Sequence, residues 1–515
     1  MPRAPGREAA TWAGSRPKSR GLLLLRGGTS LSIFSLVQEA PERPFHPPEE
    51  GGGWGRWLGR YNPLMSIFDR RRLPVSVFKL DVDRMREGWY SDKYFINIAR
   101  TLAELARQGY RFGGTSPDLS DIDVDLGNID VGSIEVEMQW FPRRQPFCVV
   151  VGVDKALAML SECAGYFTED GRFQSTFREM EVWAVHDGTE AHYEGDPENV
   201  TPVMRARGRY RDFAMLETPT LGALGRGSRV ATNVYEVLKA ARGKQVLFFP
   251  ARFDAHEVQA ADGYSYQVAV QLFNQNFGKS LSAYVSTDAQ GDWWGGAGGG
   301  TVAHAAIACF LGDTAEATMA FAATRPADIP RIALVDFRND CIGTSLQVIR
   351  TMFRRYLELL RAGREEEATK YKLFGVRPDT SSRLRDVSVP PLGDRRLDCG
   401  VNPRLVFLMR EAIDREWQTW GLAGEEAKVA ERYCKDVKIA VTGGFTPARI
   451  EEFEDLAVPA DIYGVGSWLL SSCEVCGTNN DFTADVVRVK IEGRWYDLAK
   501  TGRKACDNLM LERIQ

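Results

Sequence analysis

The 515-residue chain has no long apolar run; the nearest, Leu22–Leu25, is closed by Arg26. A membrane-spanning helix needs about 20 consecutive apolar residues, so none is expected. Cysteine is scarce too: nine residues, mostly scattered singly, make no disulfide framework, and a reducing, cytoplasmic location is expected. Of only five histidines, His46, His186, His192 and His256 show no metal-ligand spacing. A charge excess is missing as well. With 65 Lys+Arg against 69 Asp+Glu, the net charge of −4 offers no basic face for nucleic acid or a membrane surface. What remains, 44% hydrophobic and 26% charged, is an ordinary globular composition, long enough for two domains or one large barrel with additions.

The first 64 residues are a different material, with 8 Pro, 10 Gly, 9 basic and 5 acidic residues and little periodicity. Such sequence cannot bury enough surface to fold alone. Residues 1–64 are read as a disordered extension, or as an over-long start with Met65 the initiator. A transit peptide is the alternative, since residues 1–38 carry six basic residues and only Glu8, although the amphipathic pattern is poor.

Residues 65–216 read as an α+β domain. Tyr94–Tyr110 has helical spacing, Ile134–Trp140 alternates like a strand, Val151–Leu160 starts a helix, and Val203–Leu216 looks like strand again. From about residue 217 short apolar runs recur, each followed by a polar or glycine-rich break and a helical stretch. They are Val246–Phe249, Ser282–Val285, Ile332–Val335, Lys372–Val376, Val437–Val441 and Ile462–Val465. Helix-like segments such as Leu346–Leu360 and Pro403–Thr419 lie between them. Repeated βα units with continuous apolar strands predict a parallel sheet covered on both faces, most simply an α/β barrel of the TIM kind over residues 217–474. The pattern alone leaves a doubly wound open sheet possible.

In such a barrel the functional groups follow the strands. The runs end in Phe249-Pro-Ala-Arg252, Asp336-Phe-Arg338, Arg377-Pro-Asp379, Thr442-Gly443-Gly444 and Gly464-Val-Gly466-Ser467. Glycine lets the backbone approach a ligand closely, and a helix start presents free N–H groups, so the last two turns together predict a phosphate cradle. Thr446 is a fitting N-cap, with Pro447 at the first helical position. His304 follows a glycine-rich approach, Gly298-Gly-Gly-Thr-Val-Ala; taken bare, it is more often a packing or capping residue than a catalytic one. Cys473-Glu-Val-Cys476, with Cys506, lacks a fourth ligand and reads as ordinary cysteines, so no protein-held metal is assigned. The Gly291–Gly300 stretch lacks a nucleotide-binding context and reads as a mobile loop carrying Trp293 and Trp294.

Taken together, Ser91-Asp-Lys-Tyr94-Phe, Glu217-Thr-Pro-Thr-Leu-Gly222, Ala231-Thr-Asn-Val234, Gly300-Thr-Val-Ala-His304, Val376-Arg-Pro-Asp379, Val441-Thr-Gly-Gly-Phe445, Tyr463-Gly-Val-Gly-Ser467, Phe482-Thr-Ala-Asp485 and Ala499-Lys-Thr-Gly-Arg503 resemble the nicotinate phosphoribosyltransferase family, among the type II phosphoribosyltransferases of NAD biosynthesis. The resemblance implies an α/β barrel plus an N-terminal α+β domain to which residues 475–515 return, and a homodimer sharing its active site. It implies transfer of phosphoribose from 5-phosphoribosyl 1-diphosphate to nicotinate, with ATP hydrolysed through a phosphohistidine and Mg²⁺ present. His304 matches the phosphorylated histidine, Arg377 the arginine that meets the pyridine substituent with Asp379 beside it, and Tyr94 and Phe249 the aromatic pair around the ring. Asp92 shares the motif of Tyr94, Arg252 matches a basic residue near the phosphates, and Gly443, Gly444, Gly464, Gly466 and Ser467 match the phosphate turns. The pyridine nitrogen attacks with its own lone pair, so no general base is needed; the chemistry asks for positioning and anion stabilisation.

Two features depart from the family pattern. Arg377-Pro-Asp379-Thr-Ser-Ser382 stands where many members read Arg-x-Asp-Ser-Gly-Asp, and the proline form is closer to the nicotinamide-using relatives. Asp288 near the ring would repel nicotinate and bond to an amide. A nicotinamide phosphoribosyltransferase is therefore the alternative reading, and a non-catalytic phosphate- or nucleotide-binding barrel the alternative of another class. Because residues 1–64 lack periodicity and a family counterpart, a chain begun at Met65 is expected to fold and retain full turnover; a folded but inactive truncation would contradict this.

Overall fold

The computed structural model describes residues 69–300 and 302–515; the 1–64 extension and Thr301 lie outside the described residues. Helical spacing gives α1 (Lys93–Arg107), which buries Phe95, Ile96, Ala99 and Leu102 on one face. Alternation gives β1 (Glu135–Pro142). Its Val136, Met138 and Trp140 share a core with α2 (Val153–Cys163), β2 (Glu181–Ala184) and β3 (Met204–Arg209). The strand expected over Val203–Leu216 stops at Arg209. Tyr210, Phe213 and Leu216 recur at every third residue, and the chain turns helical before entering α3 (Glu217–Ala240).

Five of the apolar runs form parallel strands. They are β4 (Gln245–Phe248), β5 (Ile332–Leu334), β6 (Gly375–Arg377), β7 (Lys438–Val441) and β8 (Ile462–Val465), in the spatial order β4-β8-β7-β6-β5. The first strand thus pairs with the last, Val246 opposite Tyr463 and Phe248 opposite Val465, as barrel closure requires. The Ser282–Val285 run makes only bridges: Val285 pairs with Phe248 on one side and Gly298 on the other, so the wall is irregular there. Alternate strand residues divide the packing. Leu247, Ala440, Ile462 and Tyr284 gather in one cluster inside the barrel. Val246, Phe248, Ile439, Val441 and Val465 pack outward against helices such as Cys341–Arg361, Pro403–Glu416 and Pro447–Asp455. The molecule is an α/β barrel with an N-terminal α+β domain.

After the barrel the chain returns as β9 (Phe482–Ile491), β10 (Arg494–Asp497) and β11 (Glu512–Arg513). These join an antiparallel sheet of order β10-β9-β1-β3-β2-β11. On its second face the fully buried Glu137 accepts from Arg207 at 2.6 Å on β3 and from Arg488 at 3.0 Å on β9. Gln139 exchanges hydrogen bonds with the Lys504 carbonyl and the Cys506 amide, closing the tail over this face. Cys506 is buried beside Phe141 and Tyr193, whereas Cys476 is exposed.

The Gly291–Gly300 stretch differs from the mobile loop expected. Trp293 and Trp294 are buried, Trp293 edge-on to Phe78 at 5.0 Å and Trp294 donating to the Gln290 carbonyl at 2.8 Å. A Cβ at Gly291 would stand 2.0 Å from the Gly296 carbonyl oxygen, so glycine here serves close packing. Among the described residues, no helix is long and apolar enough to cross a membrane.

Glu137 ties three strands together through two arginines. Glu137→Ala leaves both charges without their buried partner and should destabilise the chain by about 3–5 kcal/mol. Urea unfolding checks this; a loss below about 1 kcal/mol would show the pairing to be incidental.

Candidate active site

The strand ends converge on one rim. Phe249 leaves β4 with its amide donating to the Val465 carbonyl at 2.9 Å, and its ring meets Tyr284 edge-on at 6.2 Å. Burial pushes the Tyr284 hydroxyl up to about 12, so it stays neutral and the floor here is uncharged. At the end of β6, Arg377 reaches into the same space. One Nη donates to the Val302 carbonyl at 3.3 Å, while its Nε is buried without a partner. Burial lowers the Arg377 pKa against the opposing pull of Asp379 and Asp336, and Arg252 adds a like charge nearby. A buried guanidinium with an unmade bond calls for an acceptor, and a carboxylate supplies one in the geometry arginine prefers.

Asp336, which follows β5, takes His304 Nε2 at 3.0 and 3.1 Å on its two oxygens. His304 begins the short helix His304–Cys309, and its side chain is 46% exposed. Since a carboxylate only accepts, a neutral His304 carries its proton on Nε2 and keeps a lone pair on Nδ1. Burial raises the Asp336 carboxyl and His304 opposes the rise. Asp379 accepts from the Thr442 hydroxyl at 2.7 Å, which joins the ends of β6 and β7.

The turn after β7 has Gly443 and Gly444 at φ +98° and +73°, left-handed conformations that favour glycine. Thr446 caps the following helix, Pro447–Asp455, as its sequence predicts. Arg449 donates to the Gly443 carbonyl at 2.7 Å and the Val401 carbonyl at 2.6 Å and lies over the Phe445 ring, holding the turn from behind. A Cβ at Gly464 would stand 3.1 Å from the Phe249 ring and 2.5 Å from Thr442, and one at Gly466 would stand 2.7 Å from Phe253. The turn after β8 differs from the helix start expected. Gly466 is followed only by a four-residue 3-10 turn, Ser467–Leu470, which has too few aligned peptides to add much dipole.

Phe249, Arg252, Arg377, Asp379, His304 and the two glycine turns therefore belong to one rim. Tyr94 and Asp92 belong to a second cluster at the start of α1. There Tyr94 Oη donates to Asp92 at 3.2 Å, Thr218 also donates to Asp92, and the Tyr94 ring is largely exposed. Asp288 is exposed and accepts the Gly298 amide on Oδ1 at 2.8 Å. Sequence reasoning gave no role to Asp336, Tyr284 or Arg449. A lone aspartate after a strand carries no spacing signal, although its place beyond β5 marked it as rim material.

Residues 123–228 match the model of the quinolinate phosphoribosyl transferase N-terminal domain. No curated protein matches the chain in sequence. Among solved structures, the chain is similar to the nicotinate-nucleotide pyrophosphorylase of Pyrococcus furiosus, at 23% identity over 82% of this chain and 80% of that one, with a TM-score of 0.53. Human nicotinic acid phosphoribosyltransferase superimposes more loosely, at 14% identity over 78% and 75% of the two chains and a TM-score of 0.43. Residues 123–228 thus carry the likeness to the quinolinate phosphoribosyl transferase N-terminal domain, and the Pyrococcus furiosus structure shows a likeness of fold over most of the chain.

Beside Asp92, Glu217 is pushed up to about 8, by burial first and then by Asp485 and Asp92. In the unfolded chain a glutamate ionises near ~4.3. The folded state holds its proton longer, so stability is lost as pH climbs from ~4.3 towards that folded value. Glu217→Gln should therefore raise Tm at pH 8 and leave it unchanged at pH 4, as calorimetry would show; equal shifts at both pH values would place the effect elsewhere.

Proposed function

We propose that the chain is a nicotinate phosphoribosyltransferase, joining nicotinate to 5-phosphoribosyl 1-diphosphate with release of diphosphate and with ATP hydrolysis coupled through His304. The observation that carries this reading is the buried, partnerless Nε of half-buried Arg377, set on one rim with the aromatic pair Phe249–Tyr284 and the His304–Asp336 dyad. A flat pyridine lies against Phe249 at small entropic loss, and its carboxylate meets Arg377. The ring of the partner subunit's Tyr94 would complete the sandwich in a homodimer, which suits the exposure of Tyr94 on its own chain. The backbone amides of the Gly443-Gly444 turn and Gly466-Ser467 receive the 5-phosphate, and Arg252 lies on the diphosphate side.

The pyridine nitrogen is the nucleophile and needs no base. What the chain contributes is alignment of that nitrogen with the ribose carbon and stabilisation of the departing diphosphate. In the coupled half-reaction, His304 Nδ1 attacks the γ-phosphate of ATP, the bond to the β–γ bridging oxygen breaks and ADP leaves, while Asp336 holds the Nε2 proton and stabilises the cationic ring; water later takes the phosphoryl group as phosphate. Mg²⁺ would be held chiefly by the substrate phosphates, with Asp336 and Asp379, whose charges act on one another at the rim, as the carboxylates that would face it. When bound, it supplies charge neutralisation to the diphosphate.

Product chromatography after incubation with 5-phosphoribosyl 1-diphosphate and nicotinate, nicotinamide or quinolinate tests the assignment, quinolinate being included for the family of the N-terminal domain. Nicotinate should be the substrate turned over. Preferred turnover of either other pyridine would reassign the enzyme, and sugar-phosphate binding without turnover would mark a non-catalytic barrel. Arg377→Met should raise the nicotinate KM about 10–100-fold, the worth of a charge-assisted hydrogen bond. His304→Ala should abolish acid-labile labelling from γ-labelled ATP while slow phosphoribosyl transfer survives; an acid-stable label, or equal labelling of both proteins, would return His304 to a packing role.

A further inference from the structure

A cavity of about 220 Å³ lies between α2, α3 and the Trp293 indole, lined by none of the rim residues described above. Its walls are mostly apolar, with Val151, Met159, Ala223 and Val258 among them. Glycines bring the framing helices together. A Cβ at Gly152 would stand 2.5 Å from the Ala223 carbonyl oxygen, and one at Gly227 would stand 2.7 Å from that of Val151, so the two helices approach backbone to backbone.

Lys155, third residue of α2, faces this cavity with its ammonium 5.4 Å from the Trp293 ring centre. The charged groups around it are spent elsewhere. Asp154 binds Arg72 and the Leu73 amide, and Asp187 binds the Val153 amide. Arg226 on the facing wall is paired with Asp254 and Asp262, and Glu257 at the mouth is exposed beside His256. Among the described residues no carboxylate pairs with Lys155, and burial lowers its pKa. An enclosed ammonium without a counter-charge is unfavourable, and a methionine would fill the space without that penalty.

We propose that this cavity is a binding site for a small organic anion with a flat apolar body, an aromatic monocarboxylate in class, its charge on Lys155 and its ring against Trp293. The volume is below the ~300 Å³ of sites for drug-sized ligands, which limits the ligand to about one ring. The site is separate from the nicotinate site proposed above and does not depend on that reading.

Titration calorimetry of the full chain with benzoate, in an Arg377→Met background that removes the carboxylate partner at the barrel rim, tests it. Benzoate should bind at one site per chain, with neutral benzamide at least tenfold weaker. Adding Lys155→Met should weaken benzoate at least tenfold while the free protein melts no lower than its parent. Lys155→Gln, which keeps a donor but not the charge, should lose benzoate equally. Unchanged benzoate affinity in either lysine variant, equal affinity for benzamide, or a lowered melting temperature of the Lys155→Met protein would overturn the proposal, the last by showing that the lysine is kept for packing.

Discussion

The pairing of β4 with β8 is the constraint on which the rest depends. Its register sets Phe248 opposite Val465, and the next amide, that of Phe249, continues the ladder to the Val465 carbonyl. One consequence is that Phe249 lies against Gly464, where a side chain would strike its ring. Another is that all five strands point the same way, so everything following them opens on one rim. The wall between β4 and β5 is not a regular strand pair, and that is where the His304 helix and the Val302 carbonyl that receives Arg377 are found.

The rim is assembled against the preferences of its own side chains. Burial lowers the pKa of Arg377 and raises that of Asp336, each opposed by the other charges of the cluster. Isolated, either charge would be costly to bury; together, and with an anion at Arg377, their charges balance. The β1–β3–β9 face shows the contrasting use of buried charge. There Glu137 meets arginines from two strands and leaves no opening for a ligand.

The barrel was legible because its strands are continuous apolar runs separated by helical stretches, and the residues after them could be read as rim. Ser282–Val285 has the same composition as the true strands yet makes only bridges, a distinction set by its neighbours and not by propensity. Trp293 and Trp294 sit in a glycine-rich segment that reads as loose; their burial arises from contacts with Phe78 and Gln290, far away or invisible in linear order. The Asp336 pairing with His304 spans 32 residues and belongs to no repeating pattern. The helix expected after Gly466 reduces to a 3-10 turn, because an apolar Trp-Leu-Leu triplet carries no stop signal that sequence periodicity detects. Tyr94 and Asp92 were singled out only through a family resemblance; nothing in their own spacing marks them, and within the chain they form a cluster apart from the rim residues.

We propose that the rim exchanges the diphosphate of a phosphoribosyl donor for nicotinate. Phosphorus NMR of the protein with 5-phosphoribosyl 1-diphosphate and Mg²⁺ follows both phosphorus products at once. On adding nicotinate, the donor signals should give way to free diphosphate and a nucleotide 5-phosphate in equal amounts. A donor that persists, or one consumed equally fast without nicotinate, would contradict the account.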